Sequence, residues 1–356
     1  MSSQPEARRL LDAALAEGPA HAYLFHGPAG VGKRSAALVF AGELIGDPER
    51  VVRRTHPDLY VVEPLGDQIR IGDIRALRRD LHLRPFEAER RVYLVFSAEA
   101  MNEDAADALL KDLEEPPSYA VIVLVADELG PLPETIRSRC QLVPFRRLSE
   151  RAVREVVSAR AAELELSDNQ VTALARVAGG RLDRAERLLD PGGAERRARV
   201  LGVARSVYDD EAFEPRDAVR RVLEGVEECG RAAREAAEQE LEQLDLPNRD
   251  AEQRRRRAQR GAEREELLLA LEELAAWYRD LVVVAAGAET VAVHADHVAE
   301  LAEDGAAGHA RGAETAAELI REAWRTFEEL NVQASLALEA LFIRLRRAFA
   351  GARAAA

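Results

Sequence analysis

The chain has 356 residues, of which 47% are hydrophobic and 32% charged, so it is long enough for about two or three domains with cores of their own. Its formal net charge of −14 argues against a protein that coats nucleic acid by bulk electrostatic attraction. Its two cysteines, Cys140 and Cys229, are too few for a disulfide framework or a tetrathiolate zinc site. The longest apolar run, residues 281–288, is far shorter than the roughly 20 residues of a membrane span, so we expect a cytoplasmic protein.

Strand-like and helix-like patterns alternate as far as residue 147. A short buried strand is predicted at residues 22–27, followed by a glycine-rich turn and a helix at 33–45. The later elements are a strand at 58–64, a helix within 69–85, a strand at 90–101, a helix at 104–117, and strands at 119–127 and 141–145. Near-continuous apolar strands separated by helices predict an α/β domain at residues 1–147, with a five-stranded parallel sheet covered on both faces.

After residue 147 the strand patterns end and helical patterns take over. We predict a small helical domain at residues 148–206 and a larger helical domain at residues 207–356. The larger domain includes four consecutive arginines at residues 254–257. Contact with DNA is one interpretation of this run, but the flanking glutamates favour a solvated helix surface.

The glycine-rich turn at residues 27–33 reads GPAGVGK and has the spacing of a phosphate-binding loop. Gly27, Gly30 and Gly32 allow backbone N–H groups to converge on a phosphate at the N-terminus of the following helix. Lys33 would reach the outer phosphates, and the chain has only one other lysine, Lys111. An ordinary turn between a strand and a helix is the alternative, but a rare lysine at this position favours descent from a phosphate-binding loop.

Two parts of a metal-dependent hydrolytic site are missing from the sequence. Arg34 stands where a serine or threonine hydroxyl would hold Mg²⁺, and a permanently charged guanidinium cannot ligate a cation. Phe96 and Ser97 stand at the end of the third strand, where an acidic pair would bind the metal and activate water. Glu99 follows closely, where we expect the next helix to begin. We therefore predict no metal-dependent nucleotide hydrolysis at this loop.

Four blocks of sequence together resemble the bacterial clamp-loader branch of the AAA+ superfamily. They are HAYLFHGPAGVGK at residues 21–33, HPDL at 56–59, MNEDAADALLKDLEEPP at 101–117 and LPETIRSRCQ at 132–141. A C-terminal block, NVQASLALEALFIRLRR at 331–347, is similar to the closing collar helix of that family. The resemblance implies an AAA+ P-loop domain, then a helical lid domain, then an all-α collar domain that mediates oligomerisation.

The resemblance also implies a role for Arg139, in the block Ser138-Arg139-Cys140. In the family, this arginine is a finger that points across a subunit interface at the γ-phosphate of ATP held by a neighbour. Taken alone, the sequence favours a surface arginine that caps a helix or pairs with Glu134. The match of the surrounding block reverses that preference.

Two phosphate-sensing positions of the family also differ in this chain. Ala126 stands at the end of the fourth strand, where relatives carry a polar residue. The best register puts Asp183 at the position of the sensing arginine in the lid, with Arg184 next to it, so we assign the role to neither. Together with Arg34, these departures resemble the clamp-loader subunit that holds the ring together without hydrolysing ATP.

The partners implied by the resemblance are the motor subunits (gamma/tau), the clamp-opening delta subunit, the sliding clamp and, through the complex, primed DNA. We expect no intrinsic ATPase activity, and ATP bound weakly or not at all. We expect no zinc, because residues 46–59 contain no cysteine and His56 cannot hold the ion alone. Two alternatives stay open: an ATP-hydrolysing motor subunit of the gamma/tau type with an unusual metal site, and a helical adaptor that has left replication but keeps the fold.

Overall fold

Five parallel strands form a sheet in the computed structural model, which describes residues 3–64, 68–190, 192–241, 248–329 and 332–354. The strands are β1 (Ala22–His26), β2 (Leu59–Val62), β3 (Arg91–Phe96), β4 (Ala120–Ala126) and β5 (Gln141–Pro144). Their order is β2-β3-β4-β1-β5, and each neighbouring pair runs parallel. The five-stranded parallel sheet predicted from the sequence is confirmed.

Helices surround this sheet. They are α1 (Pro5–Glu17), α2 (Lys33–Ile45), α3 (Pro48–Val52), α4 (Ile71–Leu81), α5 (Glu103–Glu114) and α6 (Glu134–Arg137). On one face, Leu77 of α4 and Leu109 of α5 are buried in one cluster with Leu24 and Leu124 of the strands. On the other face, Phe40 of α2 packs against the neighbouring side chains of β1. Strands β3 and β4 are buried along their whole length because both faces are covered.

The third strand is shorter than the sequence predicted. We expected a strand over residues 90–101, but β3 ends at Phe96 and a 3₁₀ turn occupies Ala98–Ala100. Ser97 adopts φ = 54°, in the left-handed region, which no extended strand allows. Glu99 therefore lies in the 3₁₀ turn rather than at the start of the next helix, which is α5.

Two short helices, α3 and α6, were not predicted from the sequence. Helix α3 follows a recognisable start signal: Asp47 accepts a hydrogen bond from the backbone N–H of Arg50 (3.1 Å), and Pro48 occupies the first helical position. Because α3 has only five residues, hydrophobic periodicity could not reveal it.

The chain divides into two compact units, Met1–Ala152 with Gly180–Arg184, and Val153–Gly179 with Ala185–Ala356. The helices after β5 are α7 (Glu150–Ala161), α8 (Asp168–Val177), α9 (Leu182–Leu189), α10 (Gly193–Asp209), α11 (Pro215–Leu241), α12 (Asn248–Ala285), α13 (Val298–Ala306), α14 (Ala310–Glu329) and α15 (Ala334–Ala354). The predicted collar helix corresponds to α15, and its first predicted residue, Asn331, lies outside the described residues. The division into three domains at residues 147 and 206 stays a prediction.

The run of four arginines at residues 254–257 lies on the long helix α12. Arg255 and Arg256 both pair with Glu252 on the same helix, at 3.1 and 2.8 Å. Arg255 also pairs with Glu238 of α11 at 3.3 Å, and the solvated helix surface stays a prediction. None of the helices within the described ranges combines the length and the apolar character that crossing a lipid bilayer would need.

The second unit has a core of aromatic residues with buried polar partners. The Trp277 indole donates a hydrogen bond to the Tyr208 hydroxyl (3.0 Å), which in turn donates to Asp304 (2.6 Å). Both aromatic side chains are almost completely buried, and Trp324 packs more loosely against the same core. Trp277 is therefore a core residue of the second unit.

An ionic network crosses the second unit around His294, which is fully buried. Its two ring nitrogens lie 2.9 Å from carboxylate oxygens of Asp280 and Glu273. Arg197 joins the network, 3.5 Å from Glu273. Burial alone lowers the pKa of His294, but the two carboxylate contacts outweigh it and raise the pKa above 6.5. The buried ring is thus stabilised as an imidazolium between the two acids.

We expect the second unit to lose stability as the pH rises. A histidine whose folded-state pKa is raised contributes stability in full below its unfolded pKa of 6.5, and that contribution is lost as the pH rises through the folded value. Urea unfolding followed by tryptophan fluorescence reports on this unit, because both tryptophans lie in it.

The urea midpoint of the parent should fall between pH 6 and pH 9 by more than that of His294→Gln, which lacks the titrating ring. The exposed His21→Gln is the matched control and should keep the pH response of the parent. Parallel midpoint curves for the parent and His294→Gln would contradict the imidazolium assignment.

Candidate functional site

The glycine loop joins β1 to α2 and depends on glycine for its shape. Gly27, Gly30 and Gly32 have φ values of 139°, 74° and 93°, a region that side chains rarely adopt. At Gly27, an added Cβ would also lie 2.0 Å from the carbonyl oxygen of Phe145. The predicted loop geometry is therefore present, and the first turn of α2 begins directly after it at Lys33.

The ammonium group of Lys33 is held by the protein itself. Lys33 is only 4% exposed, and its Nζ donates hydrogen bonds to the carbonyl oxygens of Gly27 and Pro28, both at 2.5 Å. It also lies 2.7 Å from a carboxylate oxygen of Asp127, the residue that follows β4. The three N–H bonds of the ammonium thus have three protein partners.

A carboxylate lies against the same loop. The backbone N–H of Leu182 donates to the carbonyl oxygen of Gly30 (2.7 Å), and an ideal Cβ on Gly30 would be 1.9 Å from an oxygen of Asp183. Burial raises the pKa of Asp183, but hydrogen bonds from Arg181 outweigh this effect and lower the pKa below its ordinary value. An ionised side chain of the chain itself therefore lies beside the central glycine of the loop.

The structure brings together three residues at which the sequence departs from a metal-dependent hydrolytic site. The Arg34 guanidinium lies over the Phe96 ring, 4.8 Å from its centroid, and donates to the hydroxyl of Ser97 at 3.2 Å. Glu63, after β2, pairs with Arg34 at 3.4 Å and with Arg54 at the same distance. These five side chains form what we call the Arg34 cluster.

The remaining acid near the loop is Glu99, whose carboxylate accepts a hydrogen bond from the backbone N–H of Asp127 (3.3 Å). Burial raises the pKa of Glu99 above its ordinary value. Ala126, the last residue of β4, is buried and contributes no polar side chain. Glu99 is therefore tied to the backbone beside the residue that binds Lys33.

Arg139 lies at the opposite end of the sheet from the glycine loop. Gln141, the first residue of β5, pairs with Tyr23, and Gly27 lies four positions further along the parallel strand β1. At about 3.3 Å per residue, the start of β5 and the loop are about 13 Å apart, and Arg139 precedes β5. The structure therefore does not bring Arg139 and the glycine loop of the same chain together.

The guanidinium of Arg139 contacts Glu114, the last residue of α5, and not Glu134. Arg139 Nε donates to Glu114 at 2.7 Å, a terminal nitrogen also donates to this carboxylate, and the other terminal nitrogen donates to the Thr135 carbonyl at 2.8 Å. The neighbouring Cys140 is buried, and burial raises the pKa of its thiol to about 12. Cys140 is therefore a packed thiol beside Arg139.

The segment at residues 46–59 was expected to hold no zinc. His56 is buried, and its Nδ1 accepts the backbone N–H of Asp58 (3.1 Å). Asp58 accepts three backbone N–H bonds from residues 86–88. Both side chains therefore support the local backbone, and the absence of zinc stays a prediction.

Several members of these clusters were missed from the sequence. Arg54 and Glu63 carry no motif, and Asp183 was recognised only by its register in the lid. Glu114, the last residue of α5, was not marked as a partner of Arg139. Each of these contacts joins residues far apart along the chain, so local pattern contains no signal for it.

The glycine loop between β1 and α2, in a sheet of parallel strands, has the strand–loop–helix arrangement of P-loop proteins. The family model described as DNA polymerase III, delta subunit matches residues 3–149. The delta′ subunit of DNA polymerase III from Bacillus subtilis is 33% identical over 211 residues, which are 56% of this chain and 63% of the relative. Over this part of its length, the chain is therefore similar to subunits of DNA polymerase III.

Two further subunits of DNA polymerase III are also similar to the chain. The delta′ subunit from Pseudomonas aeruginosa is 36% identical over 222 residues, which are 55% of this chain and 64% of the relative. The tau subunit from Bacillus subtilis is 29% identical over 200 residues, which are 51% of this chain and 35% of the relative. The matched part of the chain thus spans less than two thirds of the length of these relatives.

We expect the contact between Gly30 and Asp183 to be measurable as an energetic coupling. Gly30→Ala should destabilise the chain by about 1–2 kcal/mol for the left-handed backbone alone, and by more because the new Cβ meets Asp183. In an Asp183→Ala background the second cost should disappear, so the two substitutions should not be additive in urea unfolding followed by circular dichroism.

Gly72→Ala is the matched control, since this helical glycine has ordinary φ and no atom within 4 Å of an added Cβ. It should be neutral or slightly stabilising in both backgrounds. Equal costs of Gly30→Ala with and without Asp183 would contradict the observed contact.

Proposed function

We propose that this chain is the delta′ subunit, or stator, of a DNA polymerase III clamp loader. It does not hydrolyse ATP itself, and it supplies Arg139 to the ATP site of a neighbouring motor subunit during the loading of a sliding clamp onto primed DNA. The single observation that carries the proposal is the Arg34 cluster, in which a permanent cation stands where a hydrolytic site needs Mg²⁺.

The Arg34 cluster supports the loss of metal-dependent chemistry in two ways. The positive charge of Arg34 repels a divalent cation at the first turn of α2. Phe96 and Ser97 supply a ring face and a hydroxyl where the metal and the attacking water would need carboxylates. The P-loop of this chain is accordingly degenerate in our proposal.

Weak or absent binding of ATP follows from the groups that contact the loop. The Asp183 carboxylate lies beside Gly30, where a phosphate would meet the backbone N–H groups, and like charges repel. Lys33 would have to leave Asp127 and two carbonyl oxygens before it could bind a phosphate. Both interactions oppose the entry of a nucleotide.

Action of Arg139 on another subunit follows from the direction of the strands. The arginine and the loop of its own chain are at opposite ends of a parallel sheet, further apart than an arginine side chain extends. If the Arg139 guanidinium contacts the phosphate of a nucleotide, that nucleotide must therefore be bound by a neighbouring subunit. The proposed partners are the gamma/tau motor subunits, the delta subunit and the sliding clamp, in the bacterial cytoplasm, with primed DNA reached through the complex.

The alternative is an ATP-hydrolysing motor subunit of the gamma/tau type. Similarity to a tau subunit and the intact geometry of the glycine loop favour it. Such a subunit would have to recruit Glu99 and Asp127 as its acidic pair, although one is bonded to backbone and the other to Lys33. An adaptor that has left replication would keep the fold without either activity.

We expect the purified chain to bind no ATP in a Mg²⁺-dependent manner, because Arg34 and Asp183 oppose the metal and the phosphates. Isothermal titration with ATP, with and without Mg²⁺, tests this, and a motor subunit under the same conditions is the positive control. Mg²⁺-dependent binding that Lys33→Ala abolishes would support the motor alternative, as would ATPase activity of the isolated chain.

Arg139→Ala should slow turnover at the neighbouring ATP site by on the order of 10³-fold or more, the usual contribution of an arginine finger. The measurement is the DNA- and clamp-stimulated ATPase rate of the reconstituted complex. The contribution of the neighbouring ATP site to this rate should be lost. Arg146→Ala, an exposed arginine of the same unit, is the matched control and should leave the rate unchanged. An unchanged rate in Arg139→Ala would favour the adaptor.

A further inference from the structure

The Arg139 guanidinium is already ordered within the single chain. Its Nε and one terminal nitrogen donate to Glu114, and its other terminal nitrogen donates to the Thr135 carbonyl (2.8 Å) and lies 3.4 Å from the Ser138 hydroxyl. A guanidinium has five N–H bonds in a rigid plane, so these contacts engage four of them. One N–H bond of the plane remains for an additional acceptor.

Both ends of the ion pair are attached to the same hydrophobic core. Leu109 and Leu113 of α5 are buried in one cluster with Ile136 and Cys140, which bracket Arg139 along the chain. Glu114 directly follows Leu113, so neither partner lies on a long loop. The pair therefore differs from an ordinary surface salt bridge, in which two free side chains must be ordered to meet.

We propose that Glu114 is the positioning residue of the arginine finger, an inference that rests on the proposed function of Arg139. A free arginine side chain samples many rotamers, and ordering it at an interface reduces the rate of the step that needs it. Glu114 restricts these rotamers before the neighbour arrives, so that the guanidinium plane meets the γ-phosphate in one orientation. Glu114 itself touches neither ATP nor the reacting atoms.

The pairing determines how removal of Glu114 should affect the rate. Glu114→Ala removes the acceptor of two N–H bonds, and ordering one rotamer-rich side chain corresponds to about three- to tenfold in rate. Glu114→Gln loses the charge but keeps a side-chain oxygen at the same length, so most of the orientation should be retained. Because the finger acts on the transition state, kcat should fall while KM for ATP stays unchanged.

The experiment uses the reconstituted complex with clamp and primed DNA. The part of its ATPase rate that is lost in Arg139→Ala is taken as the contribution of the neighbouring ATP site, and we call this part the ATPase share. We expect Glu114→Ala to lower that share about three- to tenfold and Glu114→Gln to restore most of it. In the double variant, Glu114→Ala should cause no further loss beyond Arg139→Ala, because Glu114 acts only through Arg139. Glu115→Ala is the matched control, an exposed acid next to Glu114 at the end of α5.

Three results would overturn the inference: an unchanged rate in Glu114→Ala, a faster rate, or a loss that persists in the Arg139→Ala background. A faster rate would mean that Glu114 restrains the finger rather than orienting it.

If Arg139→Ala itself leaves the rate unchanged, the proposed function fails and the inference fails with it. If Arg139→Ala abolishes the share and Glu114→Ala does not lower it, only the inference fails. Gel filtration of each complex establishes that assembly is intact.

Discussion

The guanidinium of Arg34 is held between the first turn of α2 and the ends of two neighbouring strands. It stacks on Phe96, donates to Ser97 and pairs with Glu63, which also pairs with Arg54. Cation–π and ionic contacts of this kind are each weak at a surface, but together they fix one permanent charge at one place. In the proposed function, the chemistry available to the glycine loop depends on that charge, because a site for Mg²⁺ would need oxygen ligands where this cluster puts a cation.

The charges around the loop balance one another without any added ligand. Lys33 is compensated by Asp127 and by backbone carbonyl oxygens, while Asp183 is compensated by Arg181. The glycine loop therefore contacts a carboxylate of its own chain. The glycines keep a structural purpose, since a Cβ at Gly27 would collide with the backbone at Phe145 and one at Gly30 with Asp183. The shape of the loop thus persists for packing.

The parallel sheet places the glycine loop and Arg139 at its two opposite ends. The carboxyl end of β1 carries the glycine loop, and the residues before β5 carry Arg139. Because the strands are parallel, an arginine at the start of one strand lies far from a loop at the end of its neighbour. Glu114 lies at the same end as Arg139 because α5 finishes just before β4 begins. The proposal of action on a neighbouring subunit rests on this polarity.

The sequence by itself determined the alternation of strands and helices and the position of the glycine loop. It also determined that Arg34, Phe96 and Ser97 stand where a metal-dependent site would need hydroxyl and carboxylate ligands. Apolar runs, glycine spacing and residue identity are local properties, and the sheet that they predicted is the sheet observed. The error at the third strand arose because the turn at Ser97 depends on a backbone angle that no hydrophobic pattern encodes.

Only the tertiary structure decided which charges meet. Asp183 is more than 150 positions from Gly30, Glu114 is 25 positions from Arg139, and Glu63 is 29 positions from Arg34. Each residue taken alone could be a solvated surface charge, which is the usual fate of acids and arginines. Folding brings the members of each pair within contact distance because helices and strands carry them to the same end of one sheet. The physical reason is that electrostatic partners are chosen by distance in space, which a linear pattern does not contain.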